Sequence, residues 1–119
     1  MKIAITTTGK DLDSPVDPRF GRARYFLIVD QGGTLLEAVD NSSNVNAMGG
    51  AGIQAAKVLA DRRVDVLMTG NCGPNAFKTL NAAGIKVAIE QSGTVREALD
   101  RLKRNEVKFA EAPNVEGHW

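Results

Sequence analysis

The sequence predicts an α/β fold: a three-layer α/β/α domain built on a mixed five-stranded sheet of order 3-2-1-4-5. Three observations carry that prediction. The segments follow the order β-β-β-α-β-α-β-α, which gives a sheet flanked by helices. Gln31-Gly32-Gly33 is a hairpin turn that makes the second and third strands antiparallel neighbours. The strand–helix–strand units of the second half cross over right-handedly, which sets the first, fourth and fifth strands parallel.

Lys2 to Thr7 reads as the first strand because it is dense in β-branched residues. Thr8 to Arg24 holds two prolines, two glycines and several charges, so it is a long loop. Tyr25 to Asp30 and Thr34 to Val39 are the hairpin strands. A loop from Asp40 to Gly50 leads to a helix over Ala51 to Arg62, with Ile53, Ala56, Val58, Leu59 and Ala60 as its apolar members. Val64 to Thr69 is a strand, Pro74 to Ala83 a helix stopped by Gly84, and Ile85 to Ile89 the last strand. Thr94-Val95-Arg96-Glu97 is a capping box, and Val95, Ala98, Leu99 and Leu102 share one helical face behind it. Glu97 with Arg101 and Asp100 with Arg104 are spaced as i,i+4 pairs. Beyond Asn105 the chain is mixed and polar, a tail or short edge element. The domain division is accordingly one domain over residues 1–119, with 106–119 as a tail.

The chain of 119 residues is long enough to bury a core without staples, and its 43% apolar and 24% charged composition is that of an ordinary globular protein. A net charge of +1 recommends neither nucleic acid nor a membrane surface as a partner. One cysteine cannot form an internal disulfide, no apolar run reaches spanning length, and the N-terminus lacks a signal-peptide pattern. The expectation is a cytoplasmic protein, monomeric or weakly dimeric.

In a sheet of this order ligands sit beyond the carboxyl ends of the strands where the order reverses. Three loops meet that edge. The first, Val16-Asp17-Pro18-Arg19-Phe20-Gly21-Arg22-Ala23, offers Arg19 and Arg22 around Gly21 as an anion clamp. The alternative is a rigid loop whose arginines pair with Asp13 and Asp17. The second carries Met48, Gly49, Gly50 and Gly52, where glycines permit close backbone approach to a ligand. It matches neither a Walker loop nor a dinucleotide fingerprint. Met48 there is either a gap filler or a soft contact. The third, Gly70-Asn71-Cys72-Gly73-Pro74-Asn75-Ala76, joins a strand to a helix start. Its amides, those of Asn71, Gly73 and Asn75 among them, suit an anion. Cys72 at a helix start is expected to have a lowered pKa and to offer a soft sulfur, or else to be a small semi-buried turn residue. One cysteine and one histidine, His118, cannot make a protein-only zinc or iron–sulfur site. A metal would therefore arrive with its own ligands or be shared between subunits, and Cys72 is at most an accessory metal contact.

These loops, with Met1-Lys2-Ile3-Ala4-Ile5 at the start, resemble the dinitrogenase iron–molybdenum cofactor biosynthesis family over the chain to about residue 105. The resemblance implies a ribonuclease H-like topology and a non-enzymatic role in binding, storing or carrying a metal–sulfur cluster. Small stand-alone members are the nearest in pattern. For these the resemblance implies a non-covalently held cluster of molybdenum with copper, or an iron-containing precursor. It also implies a deviant-Walker ATPase as a partner. Larger members use histidine, which the rim loops of this chain lack. Two other readings stay open: a Cys72-dependent enzyme and a nucleotide-binding regulatory module. A ribonuclease-type activity does not follow, because the first strand carries no carboxylate for two-metal chemistry.

Overall fold

In a computed structural model of the chain, residues 1–42 and 50–113 are described. Five strands, β1 (Lys2–Thr7), β2 (Tyr25–Asp30), β3 (Leu35–Asp40), β4 (Val66–Met68) and β5 (Lys86–Ala88), form one sheet of order β3-β2-β1-β4-β5. The order is the one expected from the sequence. β1 pairs antiparallel with β2 and parallel with β4, and β4 parallel with β5. β2 and β3 form the hairpin, with a bulge at Ile28/Val29. Its turn closes through Gly33 N–H to Asp30 O at 3.0 Å, and Gly33 supplies the positive φ of 91°.

β1 is the centre because five of its six residues are buried and alternate between two cores. Ala4 faces one side with Phe26, Ile28, Leu67 and Val87, and there α1 (Ala51–Asp61) and α2 (Pro74–Ala82) cover the sheet. Ile3 and Ile5 face the other side with Leu27, Val29, Val66 and Met68 beneath α3 (Val95–Lys103). That division makes the three layers.

The α1 stripe differs from the expected one. Ala51, Gly52, Ala55, Ala56 and Leu59 are buried, whereas Ile53 and Val58 are only partly covered. Small residues let the helix axis approach the sheet, so the larger side chains fall at its margins. The fourth and fifth strands are shorter than expected, yet their pairing continues into the loops. Thr69 N–H donates to Ala88 O at 3.0 Å and Gln91 N–H to Thr69 O at 3.1 Å.

α3 has the full capping box: Thr94 Oγ1 accepts from Glu97 N–H at 3.1 Å, and Glu97 Oε1 accepts from Thr94 N–H at 2.9 Å. Glu97 is thus turned to the helix start rather than to Arg101. Arg101 instead donates to Ser92 O at 2.6 Å and to Gln91 Oε1 at 3.3 Å. Arg104 approaches Glu106 at 3.9 Å, so the expected i,i+4 pairs give way to contacts with the flanking loops. After α3 the chain returns along the outer edge of β5. Ala110 N–H donates to Val87 O at 2.7 Å and Phe109 lies under the Lys86 ammonium at 5.3 Å. Residues up to 110 therefore behave as the short edge element of the two alternatives. His118 lies outside the described residues.

Replacing Thr94 by Ala is expected to lower unfolding free energy by about 1 kcal/mol, measured by urea denaturation. The Glu97 carboxyl titrates below its ordinary value because the Thr94 backbone N–H, then its side chain, bonds the ionised form. Glu97 therefore stabilises the fold above about pH 4.5, and its share fades as pH falls below that value. A Glu97→Gln variant should show a flatter stability profile through this acid range.

Candidate functional site

The carboxyl ends of β1, β4, β5 and β3 and the amino end of β2 share one rim, as the pairs Thr7–Tyr25, Tyr25–Asp40, Ile5–Met68 and Met68–Ala88 require. α1 and α2 each run from this rim toward the opposite end, packed side by side on one face. Both helices start at a glycine. Gly50 caps α1 in the left-handed conformation at φ 70°, and Gly73 caps α2 in extended conformation. Neither start has a side-chain cap or an acidic residue in its first turn, in contrast to α3. Two sets of first-turn amides, with the positive ends of two helix dipoles, thus open on the same rim.

The arginine loop is locked against the start of α2. Asn71 N–H donates to Pro18 O at 2.7 Å, the Asn71 amide adds a bond to the same carbonyl at 3.0 Å, and Phe20 N–H donates to Asn71 O at 3.2 Å. Gly70 is required here: a Cβ would stand 2.6 Å from Pro18 Cα and 2.8 Å from Pro18 O. Phe20, fully buried, plugs the loop into the core and meets the Phe26 ring at 5.6 Å between centroids. Under the loop, Thr6 and Thr69 share a buried hydrogen bond of 2.9 Å, and Thr6 Oγ1 donates to Asp17 O at 2.7 Å.

Arg19 keeps its side chain 46% exposed while its Nε lies 3.5 Å from the buried Asp17 carboxylate, which also accepts from Arg19 N–H at 2.9 Å. The pairing alternative for this loop is therefore realised for Arg19 with Asp17. Asp13 pairs instead with Arg96 at 3.0 Å. Arg22 is half-buried, and its neighbour Arg24 is exposed beside Tyr25. Arg24 and Lys10 flank the Tyr25 ring at 5.5 and 5.4 Å, so further positive charge stands at the rim. Gly21 is buried, and its carbonyl accepts from Asn41 at 3.1 Å. Gly52 is buried within the first turn of α1, and Asn75 is exposed in that of α2. Met48 and Gly49 lie outside the described residues.

Cys72 corrects an expectation. Its side chain is fully buried in the core beneath α1 and α2, and burial pushes the thiol pKa up to about 12 rather than down. The S–H bonds Gly73 O at 3.7 Å. The helix start cannot lower this pKa, because desolvation of the thiolate outweighs the dipole once Phe20 and the helices exclude water. As placed, Cys72 packs in the core with its thiol protonated.

Asn41 is the rim residue that sequence reasoning missed. It directly follows β3, is 2% exposed, and bonds three carbonyls of the arginine loop, Gly21 O, Ala23 O and Arg24 O. In the run Asp40-Asn41-Ser42-Ser43-Asn44 it has the look of a solvated loop residue, and no local signal distinguishes it.

Among the described residues no cluster of three or more His, Cys, Asp or Glu could hold a metal ion, and no helix is long and apolar enough to cross a membrane. A cleft of about 920 Å³ lies at the far end of the sheet, between Met1, Lys86, Leu99, Lys103 and Phe109. Its size is not a reason to prefer it. Its two lysines already have partners, Lys86 on Phe109 and Lys103 on Gly32 O at 3.5 Å, and none of the rim amides reaches it.

The sequence profile of the family described as dinitrogenase iron-molybdenum cofactor matches residues 1–105. The apo form of the orange protein from Desulfovibrio gigas superposes with a TM-score of 0.92 at 46% identity, covering 96% of each chain. The NMR structure of a Thermotoga protein described as a putative NifB protein gives a TM-score of 0.82 at 38% identity over 98% of each chain. An uncharacterised protein of Methanocaldococcus jannaschii is 29% identical over 102 residues, 83% of this chain and 82% of its own.

Two outcomes follow from the geometry. Iodoacetamide at pH 8 should alkylate Cys72 in the folded protein more slowly than in urea-unfolded chain by over about a hundredfold. Because the folded thiol holds its proton to about 12 while the unfolded one loses it near 9.0, stability should fall as pH rises through that interval, and Cys72→Ala should remove this dependence. Separately, Gly70→Ala should cost about 1–3 kcal/mol in chemical denaturation, since the Pro18 backbone must move.

Proposed function

Because the chain belongs to the dinitrogenase iron-molybdenum cofactor family, we propose that it holds an anionic metal–sulfur cluster as cargo, non-covalently and without catalysing its conversion. The family links the chain to the handling of molybdenum cofactors and clusters. The finer reading is a molybdenum-containing sulfide cluster, with copper or iron as its second metal. The observation that carries it is the pair of uncapped helix starts on one rim. Ordinary helices place Ser, Thr, Asp or Asn at the cap and acids in the first turn. Here glycine holds each cap and neither first turn carries an acid, which leaves amide donors and positive dipole ends for an anion from outside.

The arginine loop beside them supplies the side-chain part of the charge. Guanidinium groups donate several hydrogen bonds to a diffuse anion and are weakly hydrated, which suits sulfide ligands of a preformed cluster. Arg19 and Arg22 take that part, the amides of Gly50, Gly52, Gly73 and Asn75 the other. Asn71 and Gly21 act by holding the loops, and Cys72 has no direct share. A cargo that brings its own sulfur does not require protein thiolates. Release to a partner ATPase of the deviant-Walker type, which the family resemblance implies, would then involve no ligand exchange at a protein sulfur.

The test is reconstitution of the purified chain with tetrathiomolybdate and Cu(I), followed by visible absorption. A coloured protein-bound complex is expected. Arg19→Ala/Arg22→Ala should weaken it by at least about tenfold, and Cys72→Ala should leave it within about twofold. Unchanged binding by the double arginine variant would remove the clamp. Calorimetry with ATP and GTP in parallel should show no comparable heat; tighter binding of a nucleotide would replace this reading by a nucleotide-dependent one.

A further inference from the structure

Asn41 holds the arginine loop in an unusual way. Its side-chain amide donates to the carbonyls of Gly21 and Ala23, at 3.1 and 2.8 Å, which are the residues on either side of Arg22. Its backbone N–H donates to Arg24 O at 2.9 Å. The Gly21 carbonyl belongs to the peptide plane before Arg22 and the Ala23 carbonyl to the plane one residue beyond it; the plane between them is held by Ala23 N–H, which donates to Phe20 O at 3.4 Å. With the backbone held on both sides, the direction of the Arg22 Cα–Cβ bond is fixed as well.

The anchor itself is firm. Asn41 follows Asp40, which is registered against Tyr25 on the sheet, and Asp40 in turn accepts from Ser42 N–H at 2.8 Å. The connection that leads from β3 to the glycine start of α1 leaves from the same residue. The arginine loop and that connection are thus tied at one point. An amide side chain is the group that fits: it offers two N–H donors on one nitrogen, at a site where both acceptors are backbone carbonyls. Aspartate has the same shape but presents only acceptors when ionised, and two carbonyls would face it unsatisfied.

From this geometry we propose that Asn41 is the positioning residue for Arg22, setting the guanidinium of that arginine toward the rim where the anion is held. The inference rests on the anion-binding reading of the rim, but it concerns a residue that touches no anion. Asn41 acts through Arg22, so its effect on binding should exist only while Arg22 is present.

A double-mutant cycle tests this with the tetrathiomolybdate and Cu(I) probe. Melting curves first establish that each variant is folded at the assay temperature. Arg22→Ala and Asn41→Ala are each expected to weaken binding about tenfold, and the Asn41→Ala/Arg22→Ala chain no further than Arg22→Ala alone. Asn41→Ser, which keeps one donor, should fall between the parent and Asn41→Ala, and it stands in for Asn41→Ala if the latter does not fold. Parent-like affinity in Asn41→Ala would overturn the proposal. So would losses that multiply in the double variant to about a hundredfold, the mark of a residue acting independently of Arg22. If Arg22→Ala alone binds like the parent, the clamp reading of Arg22 fails, and this inference fails with it; that outcome is distinct from a failure confined to Asn41.

Discussion

The approach of Pro18 to Gly70 is the contact on which the rim depends. No side chain can stand between the two backbones, and the loops bond to each other directly through Asn71 and Phe20 as an added rung beyond β1 and β4. That rung does three things together. It drives Phe20 into the core and sets the Asp17–Arg19 turn above Thr6 and Thr69. It also seals Cys72 from water. A side chain at position 70 would part the loops and disturb all three, since buried packing has little slack.

Capping shows where the fold gives up local stability and where it does not. α3 is closed with a full capping box, and its start serves only to turn the chain from β5 onto the second face of the sheet. α1 and α2 begin at glycine with no side-chain cap and no first-turn acid, glycine at each cap costing a few tenths of a kcal/mol relative to a good side-chain cap. A sequence able to write Thr-x-x-Glu at one helix start leaves two neighbouring starts bare on the same edge. Two helix starts left together without side-chain caps or first-turn acids, on the edge where the loops converge, are the physical basis for choosing the rim over the cleft at the opposite end.

Most of the fold was legible because it rests on periodicity. The β-branched run of β1, the Gly32-Gly33 turn, the strand–helix alternation of the second half and the Thr94–Glu97 box are each local signals, and together they point to the strand order. The loops of the site were legible as places, for the glycines and the Pro18–Arg22 run mark the ends of strands in a sheet of this type. Roles inside those loops were less so. Position at a helix start said that Cys72 should ionise easily. Its actual state is set by Phe20 and by α1, both distant in sequence, closing over the start of α2, which no local pattern conveys. Asn41 escaped notice for the same reason: its partners lie 18 and 20 residues away, and it resembles any polar loop residue until the chain folds back.

The corrected place of Cys72 alters what kind of holding the rim can do. A thiolate bonded to a metal would tie release to a ligand-exchange step. Amides and guanidinium groups touch only the outer atoms of an anion, so release is the departure of the whole ion, and salt that screens the arginines speeds it. The buried Asp17 carboxylate works in the same direction. It stands beside Arg19 and offsets part of its charge, which keeps an anion from being held by the full field of the arginine loop. On the proposed reading, bare helix starts, tethered arginines and an opposing carboxylate together favour reversible holding of an anion over a permanent bond. The grip is set by geometry, chiefly that of the loop that Gly70 and Asn41 hold in place.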